Sequence, residues 1–211
     1  MDNDRALVRR DFAQAAHAFV ETVGRVRPQD WAAPGLGVWS LRDLTGHTSR
    51  ALLTVESYLA PATTTERPTS ADAAAYYAAA GAAGALTDAA AIAERGRQAG
   101  LALGDDPAAE VAGLAERVLG LVEQADDSAL VTTPFTTMTL IGYLPTRTFE
   151  LVVHTLDIAV AGGVRDPGGL EGPLTRCLTL AAGLAVAGGQ GPEVLLALTG
   201  RRPLPAGFSV L

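Results

Sequence analysis

Apolar side chains recur along the first 26 residues at the spacing of one helical face. They fall within a single arc when successive residues are turned by about 100°. This pattern predicts a helix over residues 4–26 that ends before Pro28. The stripe consists of Val8, Phe12, Ala15, Ala16, Phe19, Val23 and Val26.

A second helix is predicted over residues 41–60. Ser40 is a typical N-cap residue, and Asp43 follows three positions later, where a carboxylate stabilises the positive end of a helix. Pro61 ends this helix, and the polar residues 63–70 indicate a loop.

The middle of the chain is rich in alanine. Residues 71–100 favour one long helix in spite of Gly81 and Gly84, because alanine has the highest helix propensity. Pro107 opens a further helix that reaches about residue 124.

The last third of the chain begins with an irregular segment. Residues 130–140 are rich in Thr and contain Pro134, which predicts an extended crossover. Pro145 begins a clearly marked helix that reaches about residue 161. Glycines at 162 and 163 close it, and shorter helices are predicted over residues 172–187 and 192–199.

These elements predict an all-α fold, with four main helices joined by long connections and short extra helices at the C-terminal end. We expect residues 1–165 to form the helical bundle. The short helices and tail of residues 166–211 are expected to pack on the same domain, since no linker or internal repeat separates them.

Composition and charge exclude several classes of function. The 211 residues are 48% hydrophobic and carry a net charge of −7, without a basic stretch, which argues against nucleic-acid binding. The chain contains no lysine, so a P-loop, a Schiff-base lysine and a pyridoxal enzyme are excluded.

The sole cysteine, Cys177, permits neither an intramolecular disulfide nor a zinc ribbon. The N-terminal residues lack the apolar segment of a signal peptide. Proline, threonine or repeated glycine interrupts the most apolar windows, residues 128–146 and 177–192, so neither is expected to span a membrane. We therefore expect a cytoplasmic protein with no membrane partner. Its apolar content is compatible with a monomer or a homodimer.

Candidate chemistry lies on the predicted helix 145–161. Arg147, Glu150, His154 and Asp157 share one stripe of this helix, and aliphatic residues flank them on both sides. We expect this stripe to point inward and the opposite face, with Thr148, Thr155 and Ala159, to meet solvent. Glu150 and His154 are four residues apart and can bind one ion.

His47 lies at the edge of the apolar face of the second helix, from where it can reach an interior site. Two histidines and one carboxylate suffice to hold a catalytic divalent ion with open positions for water or substrate. Helix geometry leaves an equal alternative, in which Glu150 and His154 form a surface ion pair and His47 is a half-buried core residue.

Other polar and reactive residues favour structural roles. His17 lies opposite the apolar face of the first helix and is expected to be solvated, while Cys177 is expected to be a buried, inert thiol. Tyr76 and Tyr77 are assigned to packing rather than to acid catalysis. The threonines around Phe135 belong with the extended segment unless they line a cavity.

Two segments resemble the signature helices of a known family. GVWSLRDLTGHTSRALLTVESYL and YLPTRTFELVVHTLDIAVAGG are similar to those of the mycothiol-dependent maleylpyruvate isomerase-like group, which belongs to the DinB-like metal-binding helical bundles. The residues that carry the resemblance are Trp39, Ser40, Arg42, Asp43 and His47 in the first segment, and Arg147, Glu150, His154 and Asp157 in the second.

The resemblance implies a DinB-like four-helix bundle that holds a divalent metal ion, zinc above nickel or iron, through His47, Glu150 and His154. It implies an enzyme that activates a low-molecular-weight thiol, mycothiol, for transfer to or isomerisation of a small electrophile such as maleylpyruvate. Arg147 is then expected to bind a carboxylate of the substrate or thiol cofactor, and Asp157 to orient a ligand. Either residue can equally form a structural ion pair.

Two other functions remain compatible with the same residues. The bundle can bind a metal ion or small molecule without catalysis, or it can use the ion to activate water as a thiol-independent hydrolase. The isomerase of the family also carries a further C-terminal domain, whereas residues 162–211 here contain only short helices and a tail. The resemblance therefore specifies a scaffold more closely than a reaction.

Overall fold

Helices make up most of the chain. The computed structural model describes residues 2–59 and 67–211. Within them it contains α1 (Asp2–Gly24), α2 (Leu41–Tyr58), α3 (Ala73–Ala82), α4 (Ala89–Ala102), α5 (Pro107–Gln124), β1 (Leu130–Thr132), β2 (Thr137–Thr139), α6 (Leu140–Ala161), α7 (Glu171–Ala187) and α8 (Gly191–Leu198). The predicted all-α fold with short C-terminal helices is confirmed.

Four of these helices surround the core. Helices α1 and α2 each pack against both α5 and α6, which closes a four-membered ring. Fully buried side chains from all four helices fill its interior, among them Phe12, Phe19, Leu44, Leu52, Val118, Leu144 and Leu151. Burial of such apolar surface is the main driving force for a bundle.

The remaining helices pack on the outside of this ring. Helix α4 lies along α2, and α3 lies on α6. Helix α7 packs on α1, α3 and α6. Among the described elements, α8 packs substantially only on α7. None of the described helices has the length and apolar character that crossing a membrane requires.

The start of α2 agrees with the prediction. The Ser40 side chain accepts a hydrogen bond from the backbone N–H of Asp43, and the Asp43 carboxylate accepts one from the N–H of Ser40. This reciprocal capping box fixes the first turn of the helix that carries His47. The predicted end at residue 60 and positions 63–66 of the predicted loop lie outside the described residues.

The single helix predicted over residues 71–100 is wrong. Helix α3 ends in a Schellman motif, in which the N–H of Ala85 binds the carbonyl of Ala80 and Gly84 adopts a φ of 70°. The Asp88 side chain then caps α4 by accepting from the N–H of Ala91. Gly84, which the sequence analysis placed inside a helix, instead ends α3.

The predicted start of α6 at Pro145 is also wrong. The helix begins at Leu140, because the Thr139 side chain caps it by accepting from the N–H of Gly142. Pro145 consequently lies inside the helix. Since proline has no N–H, the carbonyl of Ile141 lacks its usual partner four residues later.

The segment before α6 is a hairpin rather than an extended crossover. Strands β1 and β2 pair antiparallel with Val131 opposite Met138. Pro134 lies in the connecting turn, where a missing N–H costs no ladder hydrogen bond. The turn closes through a hydrogen bond from the N–H of Thr133 to the carbonyl of Thr136.

The face of α6 expected to meet solvent is buried. Thr148 and Thr155 are both fully buried, and Ala159 is 4% exposed. Helix α6 contacts α1, α2, α3 and α7, so it is covered on most of its circumference. The buried Thr148 hydroxyl has a hydrogen-bond partner within the helix, because it donates to the carbonyl of Leu144.

Candidate metal centre

The residues around the N-terminus of α2 attach this helix to α4. The indole N–H of Trp39 donates to the carbonyl of Ala93 at 2.9 Å. The Arg42 guanidinium donates to the carbonyls of Gly100, at 2.8 Å, and Gly104. All four signature residues that precede His47 thus have structural roles, because Ser40 and Asp43 form the capping box of α2.

Glycines permit an unusually close approach between α2 and α4. A Cβ atom on Gly46 would lie 2.1 Å from the backbone nitrogen of Gly100. A Cβ on Gly96 would lie 2.7 Å from the indole ring of Trp39. That ring in turn lies against the imidazole of His47, with ring centroids 4.4 Å apart. The close contact therefore fixes the position of His47.

His47, Glu150 and His154, which we call the ligand cluster, come together between α2 and α6. One side-chain donor atom from each lies within 4.8 Å of the others. The rings of His47 and His154 meet edge to face at a centroid distance of 4.9 Å. The structure thus joins the three residues that the sequence analysis named as metal ligands.

Asp157 contacts His154 directly. Its Oδ2 atom lies 3.0 Å from Nδ1 of His154, which leaves Nε2 of the same ring 3.6 Å from Oε2 of Glu150. Burial alone would lower the pKa of His154, but the carboxylates of Asp157 and Glu150 outweigh it and raise the pKa to about 9. Because Nδ1 contacts Asp157, Nε2 is the nitrogen of His154 that faces Glu150 and His47.

The other two members of the ligand cluster have lowered pKa values. Burial, followed by the nearby charge of His154, lowers the pKa of His47 to about 4. Burial would raise the pKa of Glu150, but His154 and Arg147 outweigh it and lower the pKa to about 2. At neutral pH the cluster thus contains a neutral imidazole and an ionised carboxylate, both in the form that binds metals.

The donor chemistry fits a divalent metal ion. Nδ1 of His47 is buried and has no hydrogen-bond partner in the described part of the chain, a rare condition for a buried nitrogen. Two imidazole nitrogens and one carboxylate oxygen make a ligand set that leaves positions open for water or substrate. The Asp157 contact to the second nitrogen of His154 is typical of metal-bound histidines.

Arg147 lies one turn before Glu150 and is 7% exposed. Its guanidinium donates to the hydroxyls of Tyr76 at 3.1 Å and Thr54 at 3.5 Å. It also lies 4.9 Å from the ring centroid of Tyr143 and 5.3 Å from that of Tyr76. Within residues 2–59 and 67–211 no carboxylate lies within 4.0 Å of it, so this buried cation has no paired anion.

A cavity of about 590 Å³ connects Arg147 to the ligand cluster. His47, Glu150 and Arg147 line it, whereas His154 and Asp157 do not. Phe135 and Leu211 contribute apolar parts of its wall. Pro134 and Phe135 line this cavity, but the threonines around them do not. The threonines therefore keep the structural role that the sequence analysis assigned to them.

The expectations for the other reactive residues agree with the structure. His17 is exposed on α1, where it borders a larger groove of about 1020 Å³ between α1 and α5 that contains none of the ligand cluster. Cys177 is buried, and burial raises the pKa of its thiol to about 12. Neither residue forms part of the candidate site.

Two residues assigned to packing also have polar roles. The Tyr77 hydroxyl donates to Oε1 of Glu150 at 3.0 Å, and the Tyr76 hydroxyl accepts from Arg147. Both rings are buried as predicted. A buried tyrosine hydroxyl ordinarily needs a partner, and this was the only signal in the sequence for these contacts.

Comparison with known proteins identifies one family. The sequence model of the mycothiol maleylpyruvate isomerase N-terminal domain matches residues 12–159. This range includes all three members of the ligand cluster, together with Arg147 and Asp157. No curated protein and no solved structure matches the chain.

Proposed function

Because the chain belongs to the mycothiol maleylpyruvate isomerase N-terminal domain family, we propose that it is a metal-dependent enzyme that activates a low-molecular-weight thiol. The cosubstrate is mycothiol, and the thiol is transferred to a small electrophile such as maleylpyruvate or isomerises it from cis to trans. The observation that carries this proposal is the ligand cluster, whose three donor atoms lie within 4.8 Å of one another beside a cavity.

The chain's own residues supply the metal site. His47, Glu150 and His154 hold a divalent ion, which we propose to be zinc, with nickel or iron as the other ions that this donor set suits. A bound divalent ion lowers the pKa of a coordinated thiol, so that the thiolate exists at neutral pH. Asp157 holds the ring of His154 in the orientation that presents Nε2.

Arg147 supports the choice of an anionic electrophile. A buried guanidinium without a paired carboxylate favours an anion that enters the cavity, and its planar fork matches a carboxylate. In the isomerisation, the thiolate adds to the double bond, the resulting single bond rotates, and expulsion of the thiolate restores the double bond. In the transfer, a proton adds to carbon instead and the thioether remains.

Metal content is the first test. Protein purified without a metal-affinity tag should contain about one zinc, nickel or iron ion per chain by mass spectrometry. The variants His47→Ala and His154→Ala should lose the metal while circular dichroism shows intact helices. His17→Ala is the matched control, since His17 is exposed on α1, and it should keep the metal.

Thiol dependence is the second test. The metal-loaded protein is offered mycothiol and other small thiols with a panel of carboxylate-bearing electrophiles, and the proposal expects consumption only when thiol is present. Turnover without thiol would assign the site to a hydrolase. Tight metal binding with no exchangeable coordination position, and no turnover, would assign it to a non-catalytic binding protein.

A further inference from the structure

We infer that Tyr77 is a positioning residue that makes Glu150 a ligand through one oxygen only. Its hydroxyl binds Oε1 of the Glu150 carboxylate, so that Oε2 alone is presented to the metal ion. This inference rests on the proposed function, because it requires a metal ion at the ligand cluster.

The two oxygens of Glu150 have different surroundings. Oε1 accepts a hydrogen bond from the Tyr77 hydroxyl at 3.0 Å. Oε2 lies 3.6 Å from Nε2 of His154, on the side of the carboxylate that faces the ligand cluster. A carboxylate can bind a metal ion through one or both oxygens, and the hydrogen bond distinguishes between these modes before any ion arrives.

Tyr77 is held rigidly in this position. Its side chain is 3% exposed, and its ring packs edge to face on Phe149 at 5.9 Å and on Tyr76 at 5.3 Å between centroids. The Asp72 side chain fixes the start of α3 by capping the N–H of Ala75. Displacement of the hydroxyl oxygen would therefore require movement of the packed ring or of the helix.

Tyr77 contacts the metal-ligand residue Glu150 and does not reach the space where a substrate would bind. Tyr76 lines the cavity, but Tyr77 does not. Its hydroxyl is a permanent donor at neutral pH, because a tyrosine is ordinarily protonated there and burial raises the pKa of Tyr77 further. A second acceptor, the carbonyl of Thr146, lies 3.4 Å away on the same helix as Glu150.

The consequence is an open coordination position. Two imidazole nitrogens and one carboxylate oxygen occupy three positions of the ion, so a thiol can take a fourth. Without the Tyr77 hydroxyl, Glu150 is free to turn and bind through both oxygens, which would raise the coordination number and crowd the position that the thiol needs. Loss of such an outer hydrogen bond typically costs 10–100-fold in metal affinity.

The test compares Tyr77→Phe with Tyr76→Phe by titration with Co²⁺, whose visible absorption reports the coordination number. Both substitutions remove one hydroxyl from adjacent buried rings, but only the first removes a hydrogen bond to Glu150. We expect Tyr77→Phe to bind Co²⁺ about tenfold more weakly or worse and to show the weaker absorption of a higher coordination number. Tyr76→Phe should keep the wild-type affinity and spectrum.

The outcomes separate this inference from the proposed function. Wild-type affinity and spectrum in Tyr77→Phe would overturn the role of Tyr77 and leave the metal site intact. Absence of Co²⁺ binding by the wild-type protein would overturn both proposals. If Tyr77→Phe does not fold, infrared difference spectra of the wild-type protein with and without Zn²⁺ decide the question, because a narrow carboxylate band separation indicates binding through both oxygens and would contradict the inference.

Discussion

The two histidines of the ligand cluster carry different charges before a metal ion binds. The pKa of His154 is raised to about 9 and that of His47 is lowered to about 4, while Glu150 is already ionised. Only His154 must therefore lose a proton at neutral pH. We expect the release of about one proton per bound ion at pH 7, measured by calorimetry in buffers of different ionisation enthalpy.

The affinity for the metal ion should depend on pH, because a proton and the metal ion compete for His154. The apparent metal affinity should rise by about tenfold per pH unit up to about pH 9. In Asp157→Asn the pKa of His154 should fall, because one of the two carboxylates that raise it is removed. The pH at which metal affinity stops rising should therefore fall, and an unchanged pH limit would contradict the assignment to His154.

Arg147 gives a prediction about substrate binding. Arg147→Lys keeps a positive charge but loses the planar fork that matches a carboxylate. We expect KM for a carboxylate-bearing electrophile to rise about tenfold or more, since a hydrogen bond to a charged group contributes about 1.5–3 kcal/mol. Metal content should stay unchanged.

A matched substrate provides the control for Arg147. The methyl ester of the same electrophile lacks the charge that Arg147 is proposed to bind, so wild type and Arg147→Lys should handle it with similar KM values. An equal rise in KM for acid and ester would show that the substitution disturbs the cavity in general rather than a carboxylate contact.

The three residues of the ligand cluster could be named as candidates from the sequence, but the hydrogen bonds that support them could not. Glu150 and His154 share a helical stripe, and His47 falls at the edge of an apolar face, so periodicity makes all three candidates. Periodicity left a surface ion pair as an equal alternative, and the resemblance of two segments favoured the ligand set. Tyr77 reaches Glu150 from α3, across 73 positions of sequence. Such a contact depends on how α3 lies on α6, which no local pattern encodes.

At the scale of elements, the contact between α2 and α4 determines where His47 lies. A Cβ on Gly46 would meet the backbone of Gly100 at 2.1 Å, and backbone atoms cannot rotate away as a side chain can. We expect Gly46→Ala to lower the free energy of unfolding by about 1–3 kcal/mol or more, measured by denaturant titration. The same substitution should weaken metal binding.

Gly120 in α5 is the matched control for this substitution. A Cβ there would meet no atom within 4 Å, and alanine favours a helix over glycine by about 0.5–1 kcal/mol. Gly120→Ala should therefore stabilise the protein slightly and leave metal binding unchanged. Similar destabilisation by both substitutions would show that the α2–α4 contact is not the cause.

The start of a helix was predicted well where the sequence shows a complete capping box, and helix boundaries were predicted poorly where glycine or proline has two readings. The capping box at Ser40 gave the start of α2 correctly. Gly84 can be tolerated in a helix or can end it in a left-handed conformation, and the second alternative holds. Pro145 was likewise read as a start, although the Thr139 cap places the start five residues earlier.

At the scale of the whole molecule, the hydrophobic pattern predicts helices but not their partners. The all-α class followed from periodicity, and the resemblance of two segments identified the family. The pattern did not show that α1, α2, α5 and α6 form the ring while α3 and α4 lie outside it. Helix α8 was predicted as a short C-terminal helix, yet none of its residues is buried.

Cys177 gives a prediction for the intact protein. At pH 8 a thiol with a pKa of about 12 is ionised roughly a thousandfold less than an ordinary cysteine. We expect iodoacetamide to modify native Cys177 at least about a thousandfold more slowly than the denatured chain, measured by mass spectrometry over time. Comparable rates in the two states would contradict both the burial and the raised pKa.

The same buried thiol bears on whether the proposed enzyme would be alkylated by its own electrophilic substrate. Carbon electrophiles alkylate the lysines and exposed cysteines of the proteins that handle them. This chain has no lysine and keeps its single cysteine protonated in the interior. If the proposed function holds, an electrophile in the cavity would meet no lysine or cysteine among the described lining residues. The thiol cosubstrate would then be the sulfur nucleophile available to it.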